Sequence, residues 1–182
     1  MGRDEAPVLL GERIRLRPYE NRDASVRAGF GLSREIVRSF GGDLSEDGPL
    51  DLETAARQLT RRFGSGPHWV IADNSDEFVG VIRLAPLDEA NRSANLAIGL
   101  FDPVRLGVGL GTEATLLVLA HAFDTLDLHR VSLTVLADNA RAIACYHKCG
   151  FTTEGRLREV LWRGERWTDD LVMGALNPHH RR

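Results

Sequence analysis

The stretch RLGVGLGTEATLLVL, Arg105 to Leu119, places glycines at positions 107, 109 and 111 directly before an apolar segment. A helix that is apolar on all sides belongs between the layers of a fold. Glycines at its first turn have no side chain, so the unpaired backbone N–H groups at the positive end of the helix dipole are accessible to a ligand. The pattern therefore predicts an anion-binding loop with phosphate as the expected guest, although a tight turn or close helix packing would need glycines too.

Gly109, Gly111 and Ala114 also spell GxGxxA, the fingerprint of dinucleotide-binding folds. Asp138 closes the next predicted strand, as a ribose-binding acid would. However, the fingerprint places its first glycine directly after a strand, whereas seven residues separate Gly109 from Phe101. Asp138 follows Gly109 by 29 residues, where about 20 is typical. These spacings keep a nicotinamide-dependent oxidoreductase only as an alternative.

The composition bounds the class of protein. The chain has 182 residues, 43% of them hydrophobic, so we expect a single domain over residues 1–182. Its 23 basic and 26 acidic side chains give a net charge of −3, which disfavours nucleic acid as a partner. No segment resembles a signal peptide or a membrane span, so we expect a cytoplasmic protein without membrane contact. Cys145 and Cys149 are too few for a disulfide framework and lack a second ligand pair, so we expect no metal site.

Hydrophobic periodicity and turn residues predict an α/β fold. Short turns favour antiparallel strands, whereas the crossover through the glycine-rich helix favours one parallel pair. The expected result is a mixed, mostly antiparallel sheet of six to seven strands with helices on both faces. The predicted strands cover residues 12–18, 69–72, 78–84, 94–101, 130–136, 151–162 and 167–176, and the predicted helices cover residues 21–40, 51–63, 112–124 and 140–148.

A second motif lies in VLADNARAIACYHKCGF, Val135 to Phe151. Together with GLGTEA, Gly109 to Ala114, it resembles the GNAT superfamily of acyl-CoA-dependent N-acetyltransferases. The phosphate loop of that family reads Arg/Gln-x-x-Gly-x-Gly/Ala, and its second motif reads roughly Asn-x-x-Ala-x-x-x-Tyr-x-x-x-Gly-Phe. The residues that match the second motif are Asn139, Ala142, Tyr146, Gly150 and Phe151.

The resemblance extends over nearly the whole chain. The strand IRLRPYENRDA, the hairpin WVIADNSDEFVGVIRL and the tail LREVLWRGERWTDDLVMGAL are similar to the branch that contains the N-terminal acetyltransferases of ribosomal proteins. Two positions depart from the family pattern. Leu106 occupies the place of the Arg or Gln, with Arg105 one residue too early, and Asn95 stands where some members carry a catalytic Glu.

The resemblance implies transfer of an acetyl group from acetyl-CoA to a primary amine, either a protein N-terminus or a small-molecule amine, by direct attack in a ternary complex. It also implies a splayed parallel strand pair, residues 94–101 and 130–136, which holds the pantetheine arm. Tyr146 is then the general acid that protonates the departing thiolate. The implied coenzyme contacts are Leu100, Phe101, Leu106, Gly107, Val108, Gly109, Leu110, Gly111, Thr112, Asn139, Ala142 and Tyr146.

The acceptor and the base stay open. An acidic loop with Asp43, Glu46 and Asp47 is expected to attract cationic amines, or else to be a solvated loop. We expect water to carry the proton of the attacking amine to solvent, because Asn95 cannot act as a base. A non-catalytic acyl-CoA-binding sensor is therefore a second alternative, and a homodimer is also left open.

Overall fold

One eight-stranded sheet organises the chain. The computed structural model describes residues 6–39, 48–63, 66–164 and 166–180. The strands lie in the order β1-β2-β3-β4-β5-β6-β8-β7, and each neighbouring pair is antiparallel except β5 and β6. Their bounds are β1 Leu9–Leu10, β2 Ile14–Arg17, β3 His68–Asp73, β4 Phe78–Asp88, β5 Ser93–Leu100, β6 Arg130–Leu136, β7 Thr152–Trp162 and β8 Trp167–Leu176.

Five α-helices cover the described part of the sheet. None of the described helices is long and apolar enough to cross a membrane. A 3-10 turn, Pro103–Arg105, precedes α4, and a π-helical turn, His121–Thr125, extends it. The helix bounds are α1 Asn21–Gly29, α2 Arg34–Ser39, α3 Leu52–Phe63, α4 Leu110–Ala120 and α5 Ala140–Lys148.

The mixed, mostly antiparallel sheet is confirmed, but its predicted size was wrong. The eighth strand is β1, which is only two residues long and pairs with β2 through a tight turn in which the N–H of Gly11 donates to the carbonyl of Ile14 at 2.9 Å. A two-residue strand has no alternation for a periodicity argument to detect.

Two helix predictions also need correction. The single helix expected over residues 21–40 is two helices, because Gly31 adopts the left-handed conformation (φ 62°) and breaks the chain direction. The glycine-rich helix begins two residues earlier than predicted, at Leu110. It is not buried on all sides, since Leu116 is 47% exposed. Only one side of α4 therefore packs on the sheet.

The parallel pair is the irregular part of the sheet. Its register holds for three residue pairs, Ser93–Arg130, Ala94–Val131 and Asn95–Ser132. Beyond these pairs β5 continues to Leu100 and β6 continues to Leu136 without pairing with each other. The two strands therefore splay apart and leave a gap in the middle of the sheet.

Each face of the sheet has its own core. On the α4 face, Val118 and Ala114 of α4 pack with Ile82 and Leu133 of the strands. On the α1 face, α1, α2 and α3 pack over the first strands through a smaller cluster. The residues of that cluster are Ala24, Ile36, Leu59, Val70, Ala72, Phe78, Val81 and Phe101.

A buried ion pair attaches α1 to the sheet. The guanidinium of Arg17 on β2 donates to both carboxylate oxygens of Asp23, at 2.8 and 2.9 Å, and both side chains are buried. Asp23 also accepts the backbone N–H of Glu20 at 2.7 Å and so caps the helix. Asp76 binds the remaining side of Arg17 at 2.9 Å.

We predict that Asp23→Ala lowers the free energy of unfolding by about 3–5 kcal/mol, because the guanidinium of Arg17 stays buried without its main partner. Urea denaturation measures the change. The matched control is Glu53→Ala, which removes the exposed ion pair with Arg57 (3.6 Å) and is expected to leave the urea midpoint near that of the wild type. Equal losses in the two variants would contradict this account.

Candidate active site

A cleft of about 840 Å³ occupies the gap between β5 and β6. It extends from the N-terminus of α4 through the sheet to polar residues of the α1 face, among them Arg83, Asn95 and Asp170. The structure brings most of the predicted coenzyme contacts together along this cleft. Those that line it are Leu100, Leu106, Gly107, Gly109, Gly111, Thr112, Asn139, Ala142 and Tyr146.

The glycine loop, residues Leu106 to Gly109, turns the chain into α4. Gly107 (φ 77°) and Gly109 (φ 94°) both adopt the left-handed conformation, which favours glycine. Gly109 is the N-cap residue of α4 and has no side chain that could cap the helix. The first helical hydrogen bond runs from the N–H of Glu113 to the carbonyl of Gly109 at 3.1 Å. The N–H groups of residues 110–112 therefore have no backbone acceptor among the described residues. Together with the helix dipole, they suit a pyrophosphate group.

Three predicted contacts do not line the cleft with their side chains. Phe101 is buried in the α1-face core, where its ring centroid lies 6.1 Å from that of Phe78. Leu110 is buried in the α4-face core. Val108 is exposed, and its carbonyl accepts a hydrogen bond from Arg13 at 2.8 Å. Phe101 and Leu110 can therefore contact a ligand only through their backbone groups.

The two arginines near the glycine loop have different roles. Arg105, which stands one position too early in the motif, forms an ion pair with Asp73 at 2.7 Å and so ties the 3-10 turn to β3. Arg13 instead lies beside the loop, and a Cβ added to Gly109 would be 3.1 Å from its Nη2. Glu113 holds the guanidinium of Arg13 there through an ion pair of 2.9 Å. Arg13 was not predicted from the sequence, because no sequence pattern links it to the glycine loop, which lies 95 residues further along the chain at Val108.

Helix α5 presents the second motif to the cleft. Asn139 is its N-cap, as predicted, because its side-chain oxygen accepts the N–H of Ala142 at 3.1 Å. Its amide nitrogen donates to the carbonyl of Ser39 at 3.3 Å, which joins α5 to the end of α2. Tyr146 is 8% exposed, and its ring contacts Phe151 edge to face with centroids 5.8 Å apart.

The surroundings of Tyr146 keep its hydroxyl protonated. Burial raises the pKa of the phenol well above its usual range, and the nearby thiols of Cys145 and Cys149 raise it further. No described residue makes a hydrogen bond with this hydroxyl, and Tyr146 lines the cleft. The group is therefore available to donate a proton or a hydrogen bond to a ligand there.

The two cysteines join α5 to the first turn of α4. The hydroxyl of Thr112 donates to the sulfur of Cys145 at 3.3 Å, and the thiol of Cys149 contacts the carbonyl of Thr112 at 3.6 Å. Hydrogen bonds from Cys149 and then Thr112 lower the pKa of Cys145 to about 6. Both thiols are free, and no set of three metal-binding side chains occurs among the described residues.

Asn95 lies where the two strands part. Its side-chain oxygen accepts a hydrogen bond from the hydroxyl of Ser132 at 3.2 Å, on the last paired position of β5 and β6. The amide therefore holds the strands together at the apex of the gap and supplies no base. The acidic residues Asp43, Glu46 and Asp47, proposed to attract the acceptor, lie outside the described residues.

The chain is similar to known acetyltransferases over most of its length. A family model described as an acetyltransferase (GNAT) domain matches residues 13–152. The Probable N-acetyltransferase YjcK of Bacillus subtilis (strain 168) is 25% identical over 177 residues, which cover 94% of this chain and 98% of that protein. The spermidine N(1)-acetyltransferase of Escherichia coli (strain K12) is 32% identical over 100 residues, which cover 55% of this chain and 50% of that protein. The solved structure of spermidine N-acetyltransferase from Vibrio cholerae in complex with CoA and spermine aligns with a TM-score of 0.73 and 23% identity, over 90% of this chain and 95% of that one.

We predict that Gly109→Ala weakens CoA binding at least about tenfold, because the new methyl group strains a left-handed position and pushes on Arg13. Isothermal titration calorimetry measures the dissociation constant. The control is Gly150→Ala, which has similar backbone strain (φ 90°) at the far end of α5 and no atom within 4 Å of the new methyl group. A CoA affinity that falls equally in both variants would contradict a specific role for the loop.

Proposed function

The chain belongs to the GNAT acetyltransferase family and is an N-acetyltransferase that uses acetyl-CoA; from this premise we propose that its acceptor is a primary amine, acetylated by direct attack in a ternary complex. The observation that carries the proposal is the cleft between the splayed strands, which is lined by residues from both faces of the sheet. Donor and acceptor can then enter from opposite sides and meet in the gap.

The α4-face end of the cleft suits the coenzyme. The free N–H groups at the start of α4 suit its pyrophosphate, and Arg13 adds a positive charge in place of the missing motif arginine. Lys148 of α5 also lines the cleft and adds positive charge, whereas Arg141, which lines it too, is paired with Glu35 at 2.6 Å. Acetyl-CoA itself supplies an acetyl group already activated as a thioester. We infer that the unpaired backbone near Leu100 polarises the acetyl carbonyl.

Tyr146 is proposed as the general acid. As the thioester breaks, negative charge develops on sulfur, and a protonated phenol can donate to it. A raised pKa suits this role, because the hydroxyl stays protonated at neutral pH. The thiols of Cys145 and Cys149 fix the helix turn on which Tyr146 stands against α4.

Two acceptor classes are compatible with the family. Relatives named as spermidine acetyltransferases point to a small amine, and the ribosomal branch suggested by the sequence points to a protein N-terminus. The family match gives no support to the nicotinamide-dependent oxidoreductase. The antiparallel strands β2 to β5 that precede the glycine loop also differ from the doubly wound fold which that enzyme class would need.

We predict that Tyr146→Phe lowers kcat about 10²- to 10⁴-fold, because the departing thiolate loses its proton donor. Thiol release from acetyl-CoA, measured with a panel of polyamines, aminoglycosides and peptides, reports the rate. The CoA dissociation constant is expected to stay within about twofold of the wild type. Tyr19→Phe, at the only other tyrosine, is the control and should retain kcat. An undiminished kcat in Tyr146→Phe would remove the assigned acid.

A further inference from the structure

The strand registers place two charged residues on the same face of the sheet. Arg83 of β4 pairs with Ala97 of β5, and Asp170 of β8 pairs with Leu136 of β6. Asn95 of β5 is paired with Ser132 of β6, Ala97 lies two residues beyond Asn95, and Leu136 lies four residues beyond Ser132. Side chains at even spacings along a strand, and those directly opposite each other on paired strands, lie on the same face of the sheet. Arg83 and Asp170 therefore both lie on the α1 face. Arg83 and Asp170 therefore stand on opposite sides of the gap, and both line the cleft.

The carboxylate of Asp170 is partly desolvated and incompletely paired. Its Oδ1 is buried and has no hydrogen-bond partner among the described residues. Burial and the neighbouring charge of Asp169 raise its pKa above the usual range. Asp169 itself points to the other face, where it pairs with Arg156 at 2.5 Å and accepts the N–H of Glu159 at 2.8 Å. A buried acceptor without a donor costs free energy that a bound ammonium group would recover.

Arg83 is the cation on the other side of the gap. Unlike Arg13 and Arg105, it makes no hydrogen bond or ion pair with a described residue. Its cross-strand neighbour Ala97 is small, which leaves space around the guanidinium. Coenzyme phosphates do not account for it, because the N–H groups that suit a phosphate lie at the start of α4, against the opposite face. An arginine in a cleft that has no partner among the described residues suits a carboxylate on a ligand.

We propose that the α1-face end of the cleft is the acceptor subsite, and that its occupant is a primary amine that also carries a carboxylate, namely an amino acid or a short peptide. Asp170 holds the amine nitrogen and Arg83 binds the carboxylate. The inference rests on the proposed acetyl transfer and names its acceptor class. It differs from a polyamine site, which would need a second anionic group where Arg83 stands.

Asp170 also completes the proton balance of the reaction. The amine nitrogen attacks in its neutral form, a C–N bond forms, and the C–S bond breaks with its electron pair on sulfur. Asp170 takes the proton that the nitrogen loses, and Tyr146 gives a proton to the sulfur. An amide and a free thiol result, after which the protonated Asp170 and the deprotonated Tyr146 exchange protons with solvent.

The test uses acceptors that differ only in a carboxylate: lysine against cadaverine, and dipeptides against their C-terminal amides. For the wild type we expect kcat/KM to be at least about tenfold higher for the carboxylate-bearing member of a pair, and we expect Arg83→Gln to abolish that preference through KM. Asp170→Asn should lower kcat about 10²- to 10⁴-fold for every acceptor while CoA affinity stays unchanged. The matched control is Asp124→Asn, which removes one carboxylate charge at a residue that is 62% exposed and does not line the cleft, and it should retain kcat.

Equal kcat/KM for the two members of each pair, or an undiminished kcat in Asp170→Asn, would overturn the inference and leave acetyl transfer intact. If the wild type releases no thiol from acetyl-CoA with any of the amines tested, the proposed function fails instead. Calorimetric titration of lysine and cadaverine into CoA-saturated protein then tests whether the acceptor subsite prefers the amine that carries a carboxylate. Tighter binding of lysine that is lost in Arg83→Gln supports it, and equal or undetectable binding of both overturns it.

Discussion

The separation of β5 from β6 after their third residue pair is the constraint on which the site depends. A sheet normally pairs all its interior backbone groups, and those left unpaired in a buried gap need another partner. Here the gap is lined by the start of α4 on one face of the sheet and by Arg83, Asn95 and Asp170 on the other. Asn95 and Ser132 hold the strands together where the gap begins. The splay therefore creates a binding site without an added domain.

The helices around the gap are fixed to one another as well as to the sheet. Thr112 at the start of α4 contacts both cysteines of α5, and Asn139 joins α5 to the end of α2. The glycine loop, the proposed acid Tyr146 and the α1-face helices therefore form one connected frame. A group that binds at the glycine loop is positioned relative to Tyr146 by contacts between neighbouring helix turns, which suits a reaction that depends mainly on placing two substrates.

The parts of the site that could be predicted from sequence are those encoded locally. The glycine spacing lies within one turn, and the motif from Asn139 to Phe151 lies within one helix and its end. Alternation indicated the strands, and the crossover through the glycine-rich helix indicated the parallel pair. The positions of Arg13, Arg83 and Asp170 depend on register and on pairing between distant segments, for which a single sequence carries no signal. The two-residue strand β1 was missed because it is too short to show alternation. The division of the first helix was missed because it depends on the left-handed conformation of a single glycine, Gly31.

We propose that CoA lies along the splay, with its pyrophosphate on the start of α4. Hydrogen exchange followed by mass spectrometry, with and without saturating CoA, tests it most directly because it reports backbone N–H groups. The account predicts slower exchange in two segments, residues 106–112 and residues 97–100, and little change in β7. Slower exchange confined to other segments, or none at all under conditions in which CoA is bound, would contradict it.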